Sequence, residues 1–266
     1  MFESITPVIL TYNEAPNIGR TLEKLRWAGD IVVVDSFSND ETLSIISGFP
    51  QVRVYQRKFD SHADQWNFAI RETDVTTGWV LALDADYILT DEFIAEVNKL
   101  APGKAASGFR SGFIYCVNGQ RLRGTVYPPV TVLYRNGKAS YQQDGHTQRV
   151  VIDGDIADLR APILHDDRKP LKHWLLSQDK YMRLEAEKLS RSKWADLGWA
   201  DRIRKMVVVF PFVVFSYCLF IKGAALDGRA GLYYAFQRMT AESILSLHIL
   251  YRGLMSKSSK VNTTED

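Results

Sequence analysis

Two aspartates spaced two residues apart, Asp84 and Asp86, close an apolar run that begins at Trp79. The run is short and lies between Thr77-Gly78 and Thr90-Asp91. That length and those boundaries predict a buried strand of a parallel sheet. Residues two apart in an extended strand point to one side. Both carboxylates are therefore expected to converge at the strand's carboxyl end, where open α/β sheets place their ligands. Two like charges there are costly unless a cation or hydrogen-bond donors compensate them. Two readings stay open on this tripeptide. One is a divalent cation, Mg²⁺ or Mn²⁺, holding a diphosphate. The other is an Asp84 satisfied by backbone N–H groups, with Asp86 beginning a turn.

The elements that must position these acids alternate. A strand is expected over 6–11, followed by the turn Tyr12-Asn13-Glu14-Ala15-Pro16-Asn17. Asn13 is a candidate N-cap there, and Pro16 suits a first helical turn. Ile18, Leu22 and Leu25 then recur at helical spacing, and Gly29 stops the helix. A second buried strand over 31–35 ends in Asp35, and Ser38 with Glu41 forms a capping-box pattern. A strand over 52–56 and a helix over 59–73 precede the Asp84/Asp86 strand, and Thr90-Asp91-Glu92 starts another helix. This alternation predicts a parallel sheet with helices on both faces. Acidic strand ends crowded at one sheet edge suit a site for a metal and a nucleotide.

After Pro102-Gly103 the texture changes to shorter strands, over 109–117, 127–134, 140–143 and 149–152. Asn136-Gly137 between two of them predicts a hairpin turn. Asp144-Gly145-His146 and His165-Asp166-Asp167-Arg168 are the titratable clusters of this half, and a helix is expected over 171–189.

The totals exclude some classes. A chain of 266 residues holds one large domain, or one with appendages. Net charge is +2, and no basic run with interleaved aromatics is present, so no nucleic-acid partner is expected. Cys116 and Cys218 sit among apolar residues, which suits reduced buried thiols and a reducing compartment. Met1-Phe2-Glu3-Ser4 offers no basic region ahead of an apolar core, so no signal peptide is expected. The run over 206–221 is unbroken and apolar, flanked by Arg204-Lys205 and Lys222, and contains Pro211. It is shorter than the roughly 20 residues that span a bilayer core. A buried helix, or one lying in a membrane interface, is expected in preference to a span. A second amphipathic helix is expected over 232–254, then a disordered tail over 257–266.

Three segments in order carry a resemblance: Thr6-Pro-Val-Ile-Leu-Thr-Tyr-Asn-Glu14, Val-Val-Val-Asp-Ser36 with Asn39-Asp-Glu-Thr42, and Leu-Asp-Ala-Asp86. Together they resemble the nucleotide-sugar domain of inverting family 2 glycosyltransferases, whose fold is called GT-A. The layout, including Asp227-Gly228-Arg229-Ala230-Gly231 after an apolar segment, is similar to the lipopolysaccharide-core glucosyltransferase-like branch. The resemblance implies an α/β catalytic domain over 1–190, Rossmann-like with a mostly parallel central sheet. Residues 1–100 would bind the nucleotide sugar and 101–190 the acceptor. Residues 191–256 would form a helical, membrane-associated appendage.

The resemblance also implies roles. Thr11, Asn13 and Glu14 would meet the nucleotide, Asp35 the base, and Asn67 the nucleotide sugar. Asp84 would touch the ribose or donor sugar. Asp86 would ligate Mg²⁺ or Mn²⁺, with His165 as a further ligand. Arg168 or Lys180 would neutralise the leaving diphosphate. Asp144, or else His146, would take the acceptor proton. The branch usually shows His followed by Glu where this chain has His146-Thr147. No Gln-x-x-Arg-Trp signature of processive enzymes is present, which implies transfer of a single sugar. The donor would be UDP-linked and the acceptor a glycan or lipid-linked glycan of cell-surface polysaccharide. The place would be the cytoplasmic face of the inner membrane.

Two other classes stay open. A nucleotidyltransferase also uses acidic strand ends, but here no Gly-rich basic loop follows the first strand. A non-catalytic, membrane-associated glycan-binding module has no need for several separate acidic strand ends.

Overall fold

The computed structural model describes residues 1–100, 106–144 and 147–261. The chain forms two compact units, the first of Met1–Arg121 and Tyr127–Lys169, the second of Leu122–Val126 and Pro170–Asp266.

The first unit begins with the predicted alternation: β1 (Ile5–Thr11), α1 (Ile18–Glu23), β2 (Ile31–Asp35), α2 (Thr42–Ile46), β3 (Val52–Gln56), α3 (His62–Arg71) and β4 (Trp79–Asp84). After β5 (Tyr87–Leu89) and α4 (Asp91–Asn98) come β6 (Gly108–Ser111), β7 (Phe113–Val117), β8 (Gln120–Arg121) and β9 (Val130–Arg135). The unit ends with β10 (Ala139–Asp144), β11 (Thr147–Ile152), β12 (Ile156–Asp158) and β13 (Ile163–His165). Seven strands form one sheet in the order β12-β6-β9-β4-β1-β2-β3. β4, β1, β2 and β3 run parallel, and β9 lies antiparallel between β4 and β6.

Strand alternation sorts the core into two faces. Ile9, Val33, Leu81 and Leu83 join one cluster with Ile18, Leu22, Ile46 and Phe93. Val8, Val32, Val34, Val80 and Ala82 join the other, with Ala63, Trp66 and Ala69 of α3. Both faces are covered, so the strands read as continuous apolar runs rather than alternating ones.

Four expectations are corrected. β4 stops at Asp84, and Asp86 lies in a turn leading to β5, which belongs to a second sheet of order β5-β13-β7-β8. The two acids are therefore not successive same-face residues of one strand. The strand expected over 109–117 breaks at Gly112, because β6 joins the large sheet and β7 the small one. The turn at Asn136-Gly137 forms, with Gly137 at φ +79, but its flanking strands do not pair. Both edges of β9 are already used, so β10 pairs with β11 instead. Asn13 is not a helix cap: α1 begins one turn later with Asn17 at the cap position.

The second unit contains α5 (Leu171–Arg191), α6 (Trp199–Arg204), α7 (Phe210–Ser216) and α8 (Gly228–Val261). Met182, Ala186 and Leu189 of α5 pack with Leu197 and with Leu245 of α8, and this apolar seam groups α5 with the helices that follow it. Arg204 pairs with Glu185 and Glu242 at 3.0 Å each, all three side chains largely buried. The crossing segment Leu122–Val126 is held by Arg123 N, which donates to Asp227 (2.9 Å), and Val126 N, which donates to the Tyr234 hydroxyl (3.0 Å). This explains the 227–231 motif. Asp227 receives the crossing backbone, Gly228 takes φ +60, and a Cβ on Gly231 would strike the Ala224 carbonyl oxygen.

The apolar run is core only in part: Pro211, Cys218 and Leu219 are buried. Phe212, Phe220 and Ile221 are 65%, 73% and 74% exposed. Pro211 sits in the first turn of α7, where a missing N–H costs nothing. Among the described residues no single helix is long and apolar enough to cross a membrane. Both cysteines are buried and free.

Candidate active site

The carboxyl ends of β1, β2 and β4 carry the predicted acids, and local hydrogen bonding divides them into two groups. In the first, Asp35 is fully buried and its oxygens accept from Thr11 Oγ1 (3.1 Å), Ser38 Oγ (2.5 Å), Ser38 N (2.9 Å) and Gln56 Nε2 (3.3 Å). A carboxylate offers about four acceptor sites, so a contact with a base requires one of these donors to give way. Asn13 takes φ +53, donates its N–H to Ser38 Oγ (2.8 Å) and accepts from Asn39 N (2.9 Å). Thr11, Asn13 and Asp35 thus stitch the loops after β1 and β2 together. Tyr12 and Phe37, in those same loops, are 56% and 55% exposed.

The second group surrounds Asp86. Its turn is pinned from both sides. Thr21 Oγ1 donates to Ala85 O (2.6 Å) and Asp166 N donates to Asp86 O (3.1 Å). The register of the small sheet sets His165 opposite Tyr87 on β5 and Tyr115 on β7. The imidazole consequently sits among the ring edges of Tyr87, Tyr115 and Tyr127, with centroids 5.4, 5.0 and 4.8 Å away. His165 Nε2 lies 3.2 Å from Asp86 Oδ2. Asp86 Oδ1 and His165 Nδ1 are buried without a hydrogen-bond partner.

Opposed forces set the charges. Burial and the neighbouring Asp86 push the Asp84 carboxyl up to about 6, against the pull of His165 and the Tyr87 hydroxyl. Burial acts the same way on Asp86, but the charge and hydrogen bond of His165, with Lys169, outweigh it and hold the carboxyl at about 2. Burial would lower the His165 imidazole; Asp86 and Asp84 raise it instead. An acid raised on folding costs stability above its folded pKa, so Asp84 lowers stability at neutral pH and the cost lifts as pH falls through about 6.

The residues fit a hard divalent cation. Two atoms bound side by side at about 2.1 Å each lie about 3 Å apart, close to the 3.2 Å between the Asp86 and His165 donors. The unpartnered Asp86 Oδ1 is a further oxygen with no competing donor. Among the described residues no cluster of three or more His, Cys, Asp or Glu is placed to hold a metal by itself. The remaining coordination falls to ligand oxygens and water, as is usual for Mg²⁺.

The predicted cations have other partners in this structure. Arg168 bonds Asp166 through Nε (2.9 Å), and Asp166 also receives Arg20 Nη1 (2.6 Å) and Gly119 N (2.8 Å). Lys180 lies on α5, in the second unit. The cation among the acids is Lys169, which sequence reasoning passes over: its Nζ is 2.5 Å from Glu14 Oε1 and 3.8 Å from Asp167 Oδ2. Strand-like alternation was the available signal. His165 and Lys169 pair with Asp86 and Glu14, whereas Asp166 and Arg168 pair with each other.

Asn67 is engaged within the fold. Its Nδ2 donates to Tyr141 O (2.8 Å) and its Oδ1 accepts from Tyr141 N (3.0 Å), so the amide is spent holding β10 to α3. Trp66 stacks on Tyr141 with centroids 5.2 Å apart. Trp66, Tyr141, Gln148 and Tyr87 line a cavity of about 50 Å³ beside Asp84. Asp144 is exposed at the end of β10, opposite Thr147. His146 lies outside the described residues.

Comparison with known proteins gives concordant findings. The family model "Glycosyl transferase family 2" matches residues 6–154. "Lipopolysaccharide core biosynthesis glycosyltransferase LpsC" of Rhizobium meliloti (strain 1021) is 26% identical over 92% of this chain and 93% of that protein. "SPbeta prophage-derived glycosyltransferase SunS" of Bacillus subtilis (strain 168) is 26% identical over 54% of this chain and 34% of that protein. Among solved structures, S. aureus TarS 1-349 in complex with UDP-GlcNAc covers 95% of this chain and 92% of that chain, at 14% identity and a TM-score of 0.47.

Proposed function

This chain belongs to glycosyl transferase family 2 and has the GT-A fold, and from that premise we propose that it moves a single sugar, with inversion, from a nucleotide diphosphate to a glycan or lipid-linked acceptor. The observation that carries the reading is the Asp86–His165 pair with its buried, unpartnered carboxylate oxygen at the carboxyl edge of a parallel sheet. Asp86 and His165 would hold Mg²⁺ or Mn²⁺. When bound, the ion supplies positive charge to the diphosphate oxygens.

The chain's own residues do the rest. Asp84, beside its small cavity, orients the sugar and ribose side of the donor. Asp144, or His146, accepts the proton of the acceptor hydroxyl as that oxygen attacks the anomeric carbon. The bond to the diphosphate breaks with its electron pair on the leaving oxygen. Asp35 is the residue from which a uracil preference is expected, so the donor is UDP-linked. The similarity to LpsC along nearly its full length supports a lipopolysaccharide-core acceptor. A thermal-shift panel of UDP-, GDP- and dTDP-sugars with and without Mn²⁺ tests this reading. Stabilisation by UDP-sugars that needs Mn²⁺ is expected; no shift with any nucleotide sugar would refute it.

The acceptor side favours a membrane surface. Val208, Phe212, Val213, Phe220 and Ile221 line an open apolar groove in the second unit, and Lys222 lies over the ring of Tyr217 at its rim. Apolar side chains rimmed by a cation suit a bilayer containing anionic lipid. Phe212→Asp with Phe220→Asp is expected to abolish sedimentation with vesicles of phosphatidylglycerol and phosphatidylethanolamine. Unchanged sedimentation would remove this face from the account.

A further inference from the structure

The cations near the acids are not equivalent. Arg20 is bound through Nη1 to the Asp166 carboxylate (2.6 Å) and through Nη2 to the Asp166 carbonyl (2.8 Å), and Arg168 shares the same carboxylate. Their forked guanidiniums are committed to one loop. Lys169 differs. Its ammonium faces Glu14 at 2.5 Å and Asp167 at 3.8 Å on a flexible stem, with 20% of its side chain exposed. Burial would discharge it, but Glu14, Asp86 and Asp167 raise its pKa and keep it charged.

Resting on the sugar-nucleotide reading above, we propose that Lys169 is a diphosphate-binding residue that exchanges Glu14 for the donor when the nucleotide arrives. Three observations carry this. The ammonium pairs with Glu14, just past the carboxyl end of β1, and its segment is tied to the Asp86 turn, where Asp166 N donates to Asp86 O (3.1 Å). Glu14 keeps a second partner after the exchange, since Asn17 Nδ2 donates to its Oε2 (2.8 Å). Asn17 is itself anchored, donating to Asp167 Oδ1 (2.9 Å) and accepting from Arg168 N (3.0 Å), so the loop holds when Lys169 moves. A point charge on a four-carbon stem can swing between anions where a bidentate guanidinium cannot. In the free protein Glu14 thus stands in for the phosphate and keeps the ammonium aimed.

The exchange has a signature that a structural ion pair lacks. Breaking a purely structural pair from either side weakens the site in the same direction. Exchange predicts opposite signs, because removing Glu14's charge removes the competitor. The test is calorimetric titration of UDP, in Mn²⁺, into the full chain and three variants. Lys169→Met is expected to weaken UDP binding by about ten- to a hundredfold, the usual worth of one charge-assisted bond. Glu14→Gln is expected to tighten it several-fold, and Lys169→Arg to recover only part of the affinity lost in Lys169→Met, because a guanidinium held by Glu14 does not swing to the phosphate. Thermal melts confirm that each variant is folded. UDP binding by Lys169→Met equal to wild type would overturn the proposal, as would weakening by Glu14→Gln. A wild-type chain that binds no UDP would overturn the sugar-nucleotide reading and this inference together.

Discussion

Asp86→Ala is expected to lower metal-dependent turnover of the sugar nucleotide by roughly two to three orders of magnitude, the scale seen when one group that stabilises developing charge is removed. The fold is expected to survive. The Asp86 side chain is bonded to His165 alone among the residues described, and its loss relieves the like charge that raises Asp84. A kinetic comparison with a thermal melt separates the two effects. Collapse of activity with an unchanged melting temperature fits a ligand of the cation. Full turnover would mean that the acid serves only the turn between β4 and β5.

The largest effect on stability is expected in the second unit. Arg204→Met removes the guanidinium that Glu185 and Glu242 share, at 5% and 8% side-chain exposure. Breaking a buried pair from one side costs about 3–5 kcal/mol. Here one guanidinium serves two acids on two helices, α5 and α8, so the upper part of that range is expected. Arg204→Lys is expected to cost less but not to be silent, because an ammonium cannot reproduce the planar fork. Denaturant melts of the three proteins measure the difference. A methionine variant as stable as wild type would show that the helices are held by their apolar seam alone.

Physical reasons govern how much of this is legible in sequence. The parallel half is, because strands buried on both faces are short continuous apolar runs, and β2 and β3 match the expected bounds of 31–35 and 52–56. Asp86 and His165 are legible as candidate ligands from residue type and strand-end position. What joins them is not: the small sheet that brings β13 between β5 and β7 depends on non-local pairing with no local signature. The Asn136-Gly137 turn misleads for the same reason, since turn chemistry specifies a reversal but not which strands pair. Asn67, Asp35 and Arg168 look like ligand groups by type, and in the structure each also makes hydrogen bonds that hold loops or strands, a use set by tertiary neighbours rather than by local sequence. Lys169 was readable from alternation along His165-Asp-Asp-Arg-Lys169, but adjacent cations differ only in which side they face.

Calorimetric titration of UDP into the wild-type chain and Asp86→Asn, with and without Mn²⁺, tests the central claim most directly. Binding that needs the metal in wild type and is lost in the variant is the predicted result. Equal affinity in all four titrations would contradict a cation held by Asp86 and His165.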